Sequence, residues 1–285
     1  MSFSTTPGAP LGARTVGIVG TGLIGASIGL RARGGGARTI GYDERSEHAE
    51  RARDRGALDR VAATAAECFE ADALVLATPL EATLALLAEL RTRASRASLV
   101  LDVCSVKAPV ARAGSGLERF VPSHPMAGSE RSGPQAARGD LFEDCVWMYA
   151  PAAPSAVEEA QAFIHSMGAR PLPLDPAEHD RIVALTSHLP QLLSVALGAR
   201  LDERLDETGV AELSGPGMRS MLRLGSSSWP VWRGVLAANA GAVSQEVRGL
   251  VTILTEFARA LEAGEVQTLA PAFAEAARAV QRLNE

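Results

Sequence analysis

Lysine is almost missing from this 285-residue chain: of its 28 cationic side chains, Lys107 alone is a lysine and the rest are arginines. So skewed a ratio reads as genome base composition, yet it singles out one position. Cysteine is scarce too. Cys68, Cys104 and Cys145 lie far apart, with no C-x-x-C pair and no histidine at ligand spacing, which excludes a disulfide scaffold and a zinc site and fits a reducing compartment. Aromatics make up 4% of the chain, and no uninterrupted apolar run reaches the ~18 residues that span a bilayer. The start, MSFSTTPGAP, lacks the cationic and apolar regions of a signal peptide. With net charge −5 and no cationic cluster, nucleic acid is not the expected partner. A cytoplasmic protein, off the membrane and free of metal, is the expectation.

What the chain does have is an orderly alternation. Residues 1–13 read as a loose tail. From Thr15 to Leu174, short β-rich runs (16–19, 39–42, 73–77, 99–103, 120–122, 146–150, 170–174) alternate with helical stretches such as 80–93 and 157–166. Apolar on both faces, such runs predict a parallel sheet covered by helices. After Asp175-Pro176 the strands vanish and helical periods take over at 177–201, 232–262 and 267–283, with Leu189-Pro190 expected to kink or break the first. The predicted division is therefore 14–175, α/β, followed by 176–285, all-helical.

Gly20-Thr21-Gly22-Leu23-Ile24-Gly25 is G-x-G-x-x-G, placed after the strand Val16–Val19 and before a helix beginning near Ala26. In that context the glycines allow a tight turn and let a pyrophosphate approach the helix N-terminus, the signature of a Rossmann-type dinucleotide-binding domain. Asp43 closes the second strand, 18 residues after Gly25, where a carboxylate accepts from an adenosine ribose and repels a 2′-phosphate. NAD is thus the expected cofactor, with NADP less favoured and Arg45 softening the preference.

Ligands of open parallel sheets bind beyond the carboxyl ends of the strands. Thr78-Pro79, then Ser105 with Lys107, then Ser123-His124-Pro125 all follow strands. Pro125 biases His124 toward an extended conformation at its strand end. A neutral imidazole there suits proton abstraction from a hydroxyl whose carbon gives up hydride, and Ser105 is placed to orient it. His48 and His165 read as surface residues of helices, and His179 and His188 as residues of the helical half.

The segments Ser123-His124-Pro125-Met126-Ala127-Gly128-Ser129-Glu130, Asp102-Val103-Cys104-Ser105-Val106-Lys107 and Thr186-Ser187-His188-Leu189-Pro190-Gln191 together resemble the prephenate/arogenate dehydrogenase family of tyrosine biosynthesis, over about residues 15–280. The resemblance implies NAD(P)-dependent oxidative decarboxylation. It makes His124 the base, Ser105 its support, Glu130 a gating or pocket residue, and Arg223 the partner of a substrate carboxylate, with Arg219 one helical turn earlier on the same face. Asp180, Ser187 and Gln191 fall on one helix face that would line the cleft. A neutral amide at Gln191 does not seek the ammonium group of arogenate, which leaves prephenate as the expected substrate, with arogenate or both substrates as alternatives.

The resemblance also implies that helical domains of two subunits pack together into a homodimer; the chain ends near the expected close of that domain, so no fused regulatory domain or chorismate mutase is expected. The shortened segment Pro230-Val231-Trp232 leaves Trp229 without an assigned role. A β-hydroxyacid dehydrogenase, which shares this domain plan, calls for a basic lysine in the helical domain; this chain has none there. A vestigial NAD-sensing module explains the glycine loop but not Ser105, His124, Glu130 and Arg223 together. For Lys107 the expectation is an architectural or electrostatic role in its loop, not proton transfer.

Overall fold

The computed structural model describes residues 14–93, 95–129 and 131–285. The tail of residues 1–13 and Glu130 lie outside the described residues.

Six parallel strands form the main sheet: β1 (Thr15–Val19), β2 (Arg38–Tyr42), β3 (Arg60–Val61), β4 (Ala73–Leu76), β5 (Leu99–Asp102) and β6 (Phe120–Val121), in the order β3-β2-β1-β4-β5-β6. This is the doubly wound arrangement, whose switch point lies between β1 and β4. Alternate residues serve opposite faces, as the strand period of two demands. Val16, Ile18, Val75, Leu99 and Leu101 enter one core, while Val19, Leu74, Leu76 and Val100 enter the other. The helices α1 (Leu23–Gly34), α2 (Ser46–Asp54), α3 (Ala65–Cys68), α4 (Leu80–Thr92), α5 (Ala108–Gly114) and α6 (Pro154–Ser166) cover those faces. Gly36, at φ +86°, turns the chain from α1 into β2.

The expected strands 146–150 and 170–174 are present but do not extend that sheet. They form β8 (Val146–Tyr149) and β9 (Arg170–Pro173), which join β7 (Ser123–Pro125) in a second, three-stranded sheet with β7 antiparallel to β8. The change begins at Pro122, whose carbonyl accepts from Ala150 N at 2.8 Å on the β8 side, while Ser123 N turns to the Asp102 carboxylate and the pairing from Ser123 on is with β8. His124 is therefore the middle residue of a strand of its own, opposite Met148, instead of standing at the end of β6.

Asp175 opens the helical half by accepting N–H bonds from Ala177 (2.8 Å) and Glu178 (3.2 Å), with Pro176 in the first turn. The helix does not break at Leu189-Pro190. Between α7 (Pro176–Val183) and α8 (Leu189–Asp202) runs one π turn, Ala184–His188, which widens the spiral ahead of Pro190 and relieves its ring's clash with the preceding turn. By length and composition this run of 27 residues is apolar enough to cross a membrane. Its His179, Asp180, His188, Gln191 and Ser194 are nonetheless buried within the protein.

Short helices α9 (Val210–Leu213) and α10 (Pro216–Met221) follow, then α11 (Trp229–Ala238), α12 (Ala240–Glu262) and α13 (Ala270–Asn284). The expected single helix 232–262 is divided at Asn239, whose buried Nδ2 donates to the Asp180 carbonyl at 2.7 Å. The last two helices, α12 and α13, leave Val251, Ile253, Leu254, Phe273, Val280 and Leu283 exposed.

Candidate functional site

One cleft of about 690 Å³ runs along the carboxyl ends of β1, β2, β4 and β5 to α11. Gly20, Gly22, Leu23, Ile24, Asp43, Thr78, Pro79 and Ser105 all line it. The three glycines do different work. Gly20 sits at φ +93°, and a Cβ there would lie 2.3 Å from the Ala77 carbonyl oxygen. A Cβ on Gly25, which lies under the loop, would fall 1.9 Å from the oxygen of Gly20. Gly22 has nothing within 4 Å of the same point: its missing side chain leaves open space at the start of α1. That cradle, with the exposed N–H groups of a helix start, fits a phosphate-bearing cofactor.

Asp43 is tied to the glycine loop. Its Oδ2 accepts from Thr21 N (2.7 Å) and Thr21 Oγ1 (3.2 Å), and its Oδ1 accepts from Arg45 N (3.0 Å). Two carboxylate oxygens have four acceptor directions, so one remains for a ribose hydroxyl. His48 departs from the expectation of a surface histidine. It is half-buried in the same cleft, with Nδ1 at 3.9 Å from Asp43. His165 is exposed, as read from the sequence.

Beside Ser105 the construction changes from backbone to buried side chains. Asp102, wholly buried at the end of β5, accepts from Cys104 N (2.9 Å) and Ser123 N (2.9 Å) and pairs with Lys107 Nζ. Lys107 Nζ also donates to the Ser123 carbonyl at 2.7 Å, and Ser123 Oγ donates to the Asp102 carbonyl (2.6 Å) while accepting from Trp147 Nε1 (3.0 Å). Asp102, Lys107, Ser123 and Trp147 are all fully buried. The effect is to clamp the turn carrying Ser105 against the strand carrying His124.

His124 Nδ1 lies 2.9 Å from His179 Nε2, and His179 Nδ1 lies 2.8 Å from Asp180 Oδ1. The Asp180 carboxylate in turn accepts from Lys107 N (2.7 Å) and Ala108 N (2.8 Å). Burial first, then the charge of Lys107 and the proximity of His179 and His188, hold the His124 imidazole well below its ordinary 6.5. It is therefore neutral and able to accept a proton. Cys104 is no nucleophile: burial and Asp102 push its thiol up to about 12.

The remaining candidates are more dispersed. Ser187 is half-buried in the π turn. Because that turn adds a residue, positions beyond it rotate by about 100° relative to Asp180, so the single face expected for Asp180, Ser187 and Gln191 does not form. Gln191 is buried, with Nε2 donating to the Leu224 carbonyl (2.8 Å) and Oε1 accepting from Ser227 Oγ (3.1 Å). Its amide holds the turn that carries Arg223. That turn, Arg223–Ser226, is a 3₁₀ segment after α10 ends, so Arg219 and Arg223 do not share the face of one helix. Both arginines are exposed and carry no ion pair among the described residues. Trp229 is exposed, and Trp232 packs edge-on against His188 at 5.7 Å. Sequence reasoning missed His179 and the buried network around Asp102. An acid ending the apolar strand Leu99–Leu101, with the sole lysine five residues on, was the available signal.

Comparison with known proteins adds independent findings. The family model "Prephenate dehydrogenase, nucleotide-binding domain" matches residues 26–172, and "Prephenate dehydrogenase, dimerization domain" matches residues 175–275. Prephenate dehydrogenase of Bacillus subtilis (strain 168) is 33% identical over 238 residues, covering 79% of this chain and 64% of the relative. A Streptomyces niveus protein described as "probable prephenate dehydrogenase NovF" is 35% identical over 246 residues, covering 83% and 66%. This chain thus spans about two thirds of the length of those relatives. The crystal structure of A. aeolicus prephenate dehydrogenase with hydroxyphenyl propionate and NAD+ superposes with a TM-score of 0.85 at 24% identity, covering 96% of this chain and 99% of that one. At that identity the likeness speaks to the fold.

Proposed function

This chain belongs to the prephenate dehydrogenase family, and on that premise we propose that it oxidatively decarboxylates prephenate to 4-hydroxyphenylpyruvate in tyrosine biosynthesis, with NAD as cofactor. The observation that carries the reading is the neutral, half-buried His124, clamped through Ser123, Asp102 and Lys107 to the turn of Ser105 on the cleft wall. The Gly20–Gly25 loop holds the pyrophosphate, Asp43 accepts from the ribose, and Thr78-Pro79 completes that wall. Bound NAD+ supplies the hydride acceptor.

The chain's own residues supply the rest. His124 takes the proton of the ring hydroxyl as its carbon loses hydride, Ser105 orients that hydroxyl, and Arg223 pairs with a substrate carboxylate. As the carbon–carboxylate bond breaks, CO2 leaves and its electron pair makes the ring aromatic, and His124 returns its proton to the phenolate oxygen. We assign Glu130 to gating or the pocket and Ser187 and Gln191 to substrate binding, Gln191 through its hold on the Arg223 turn. No carboxylate stands at position 191 to attract an ammonium group, which supports prephenate; arogenate, or use of both, is the alternative. The carboxylate of Asp43 disfavours the 2′-phosphate of NADP.

The helical half, 176–285, serves as the substrate and dimerisation domain and 14–175 as the nucleotide domain. The family's dimerization domain and the exposed apolar residues of α12 and α13 support a homodimer. Three free cysteines support a cytoplasmic setting. Purified protein is offered prephenate or arogenate with NAD or NADP while cofactor reduction is followed. Prephenate with NAD is expected to turn over fastest, and no turnover in any pairing overturns the reading. His124→Asn is expected to lower kcat by about 100-fold or more while NAD affinity stays within about threefold; unchanged kcat removes His124 from the chemistry.

A further inference from the structure

The geometry points to His179 as the positioning residue that fixes the tautomer of His124, itself held in place by Asp180. This rests on the reading of His124 as the base.

The argument starts from acceptors. Asp180 is buried at 5% exposure, and both of its oxygens receive backbone N–H groups, Oδ1 from Lys107 at 2.7 Å and Oδ2 from Ala108 at 2.8 Å. His179 Nδ1 stands 2.8 Å from that same Oδ1. Facing an acceptor, Nδ1 must carry the hydrogen, because two lone pairs at that distance repel. A neutral ring with a hydrogen on Nδ1 has a bare Nε2. That Nε2 lies 2.9 Å from His124 Nδ1, so the hydrogen between the rings belongs to His124 Nδ1. His124 is left with a bare Nε2, the form that accepts a hydroxyl proton. Reversing the chain would place a hydrogen on His124 Nε2 and make it a donor, useless as a base.

Several features keep the chain in this sense. His179 is 2% exposed, so water does not compete for either ring nitrogen. The ring planes cross at 78° with centroids 5.1 Å apart, and the two nitrogens face each other across 2.9 Å. Asn239 Nδ2 holds the Asp180 carbonyl at 2.7 Å and anchors the first turns of α7. The step needs no further reactant: an O–H bond breaks, an Nε2–H bond forms, and the hydrogen on Nδ1 stays shared with His179. There is also a consequence for the two halves of the chain. His124 belongs to β7, His179 and Asp180 to α7, and the N–H groups on Asp180 to the Lys107-Ala108 segment. The base is set correctly only while α7 is docked against that segment.

The test reads the tautomer directly, by ¹⁵N NMR of histidine-labelled protein at neutral pH, without substrate, with the His124 signals assigned by their loss in His124→Asn. The expected wild-type spectrum has His124 Nδ1 protonated and Nε2 bare. A hydrogen on Nε2 overturns the proposal, and this spectrum decides it even if a variant fails to fold. For turnover, His179→Phe is expected to lose about 100-fold or more in kcat with KM within about threefold. His179→Gln, whose amide donates to Asp180 and accepts from His124, is expected to stay within about tenfold of wild type. Equal losses in Phe and Gln, or none in either, overturn the proposal. Failure of wild-type turnover with every substrate and cofactor overturns the proposed function and leaves the spectrum to judge the tautomer.

Discussion

The nucleotide cleft and the side-chain network that backs its Ser105 wall are made of different materials. At the nucleotide end the working parts are backbone: a left-handed glycine, a second glycine packed under the loop, a third with open space above it, and one carboxylate tied back to the loop. At the chemistry end the working parts are side chains from three separate stretches, namely Asp102 and Lys107, Ser123 and the half-buried His124, and His179 and Asp180, all but His124 buried. Backbone geometry is local and tolerates substitution of what surrounds it. A buried polar network is non-local, and every member depends on the others being present.

The largest effect expected from that difference is at Lys107. Lys107→Met leaves the Asp102 carboxylate buried without its counter-charge, which costs about 3–5 kcal/mol. The urea midpoint should fall accordingly with the slope m unchanged. Lys107→Arg is also expected to destabilise, because the fully buried ammonium sits between Asp102 and the Ser123 carbonyl with no room for a planar fork. Wild-type stability in Lys107→Arg would make the lone lysine mere drift and would remove the contrast between the two ends.

The same contrast decides what was legible in the sequence. The glycine loop, the acid after β2 and the seven apolar strand runs are contiguous, and each lies within a residue or two of where the sequence puts it. The second sheet was not legible, since nothing in Ser123-His124-Pro125 announces that the pairing passes from β5 to β8. The π turn was hidden for a related reason. A proline in an apolar helix reads as a break, and whether one wide turn absorbs it depends on packing around the helix. His179 was passed over because its partner is 55 positions away, although Asp180 beside it was already placed on the cleft side. Gln191 was found at the right depth, but its bonds run to Leu224 and Ser227.

Acid should strike the chemistry end and spare the other. Burial is the first cause that lowers both His124, well below 6.5, and His188, to about 4. In the unfolded chain both histidines titrate near 6.5, so below that pH the unfolded state binds more protons than the folded one. Stability is then complete above about 6.5 and is lost as pH falls toward about 4, at about 1.4 kcal/mol per pH unit for each histidine. Urea midpoints measured between pH 7 and pH 5 should therefore drop steadily, and His188→Gln should reduce the slope by about half. A flat profile would mean that neither ring is buried in its neutral form.

The smallest effect in stability is the sharpest test of the nucleotide end. A methyl on Gly22 meets nothing within 4 Å and its φ of −68° suits any residue, so Gly22→Ala should keep the wild-type midpoint within about 0.5 kcal/mol. A methyl on Gly25 meets the Gly20 carbonyl at 1.9 Å, so Gly25→Ala must move the loop and should lower the midpoint. Both should weaken NAD binding, Gly22→Ala by about tenfold, or about 1.4 kcal/mol, because the added carbon occupies the space the pyrophosphate needs. Calorimetric titration of the two variants separates the roles: equal NAD affinity in Gly22→Ala and wild type would show that the open space above Gly22 does not receive the cofactor, and the loop would then be a structural turn at that residue.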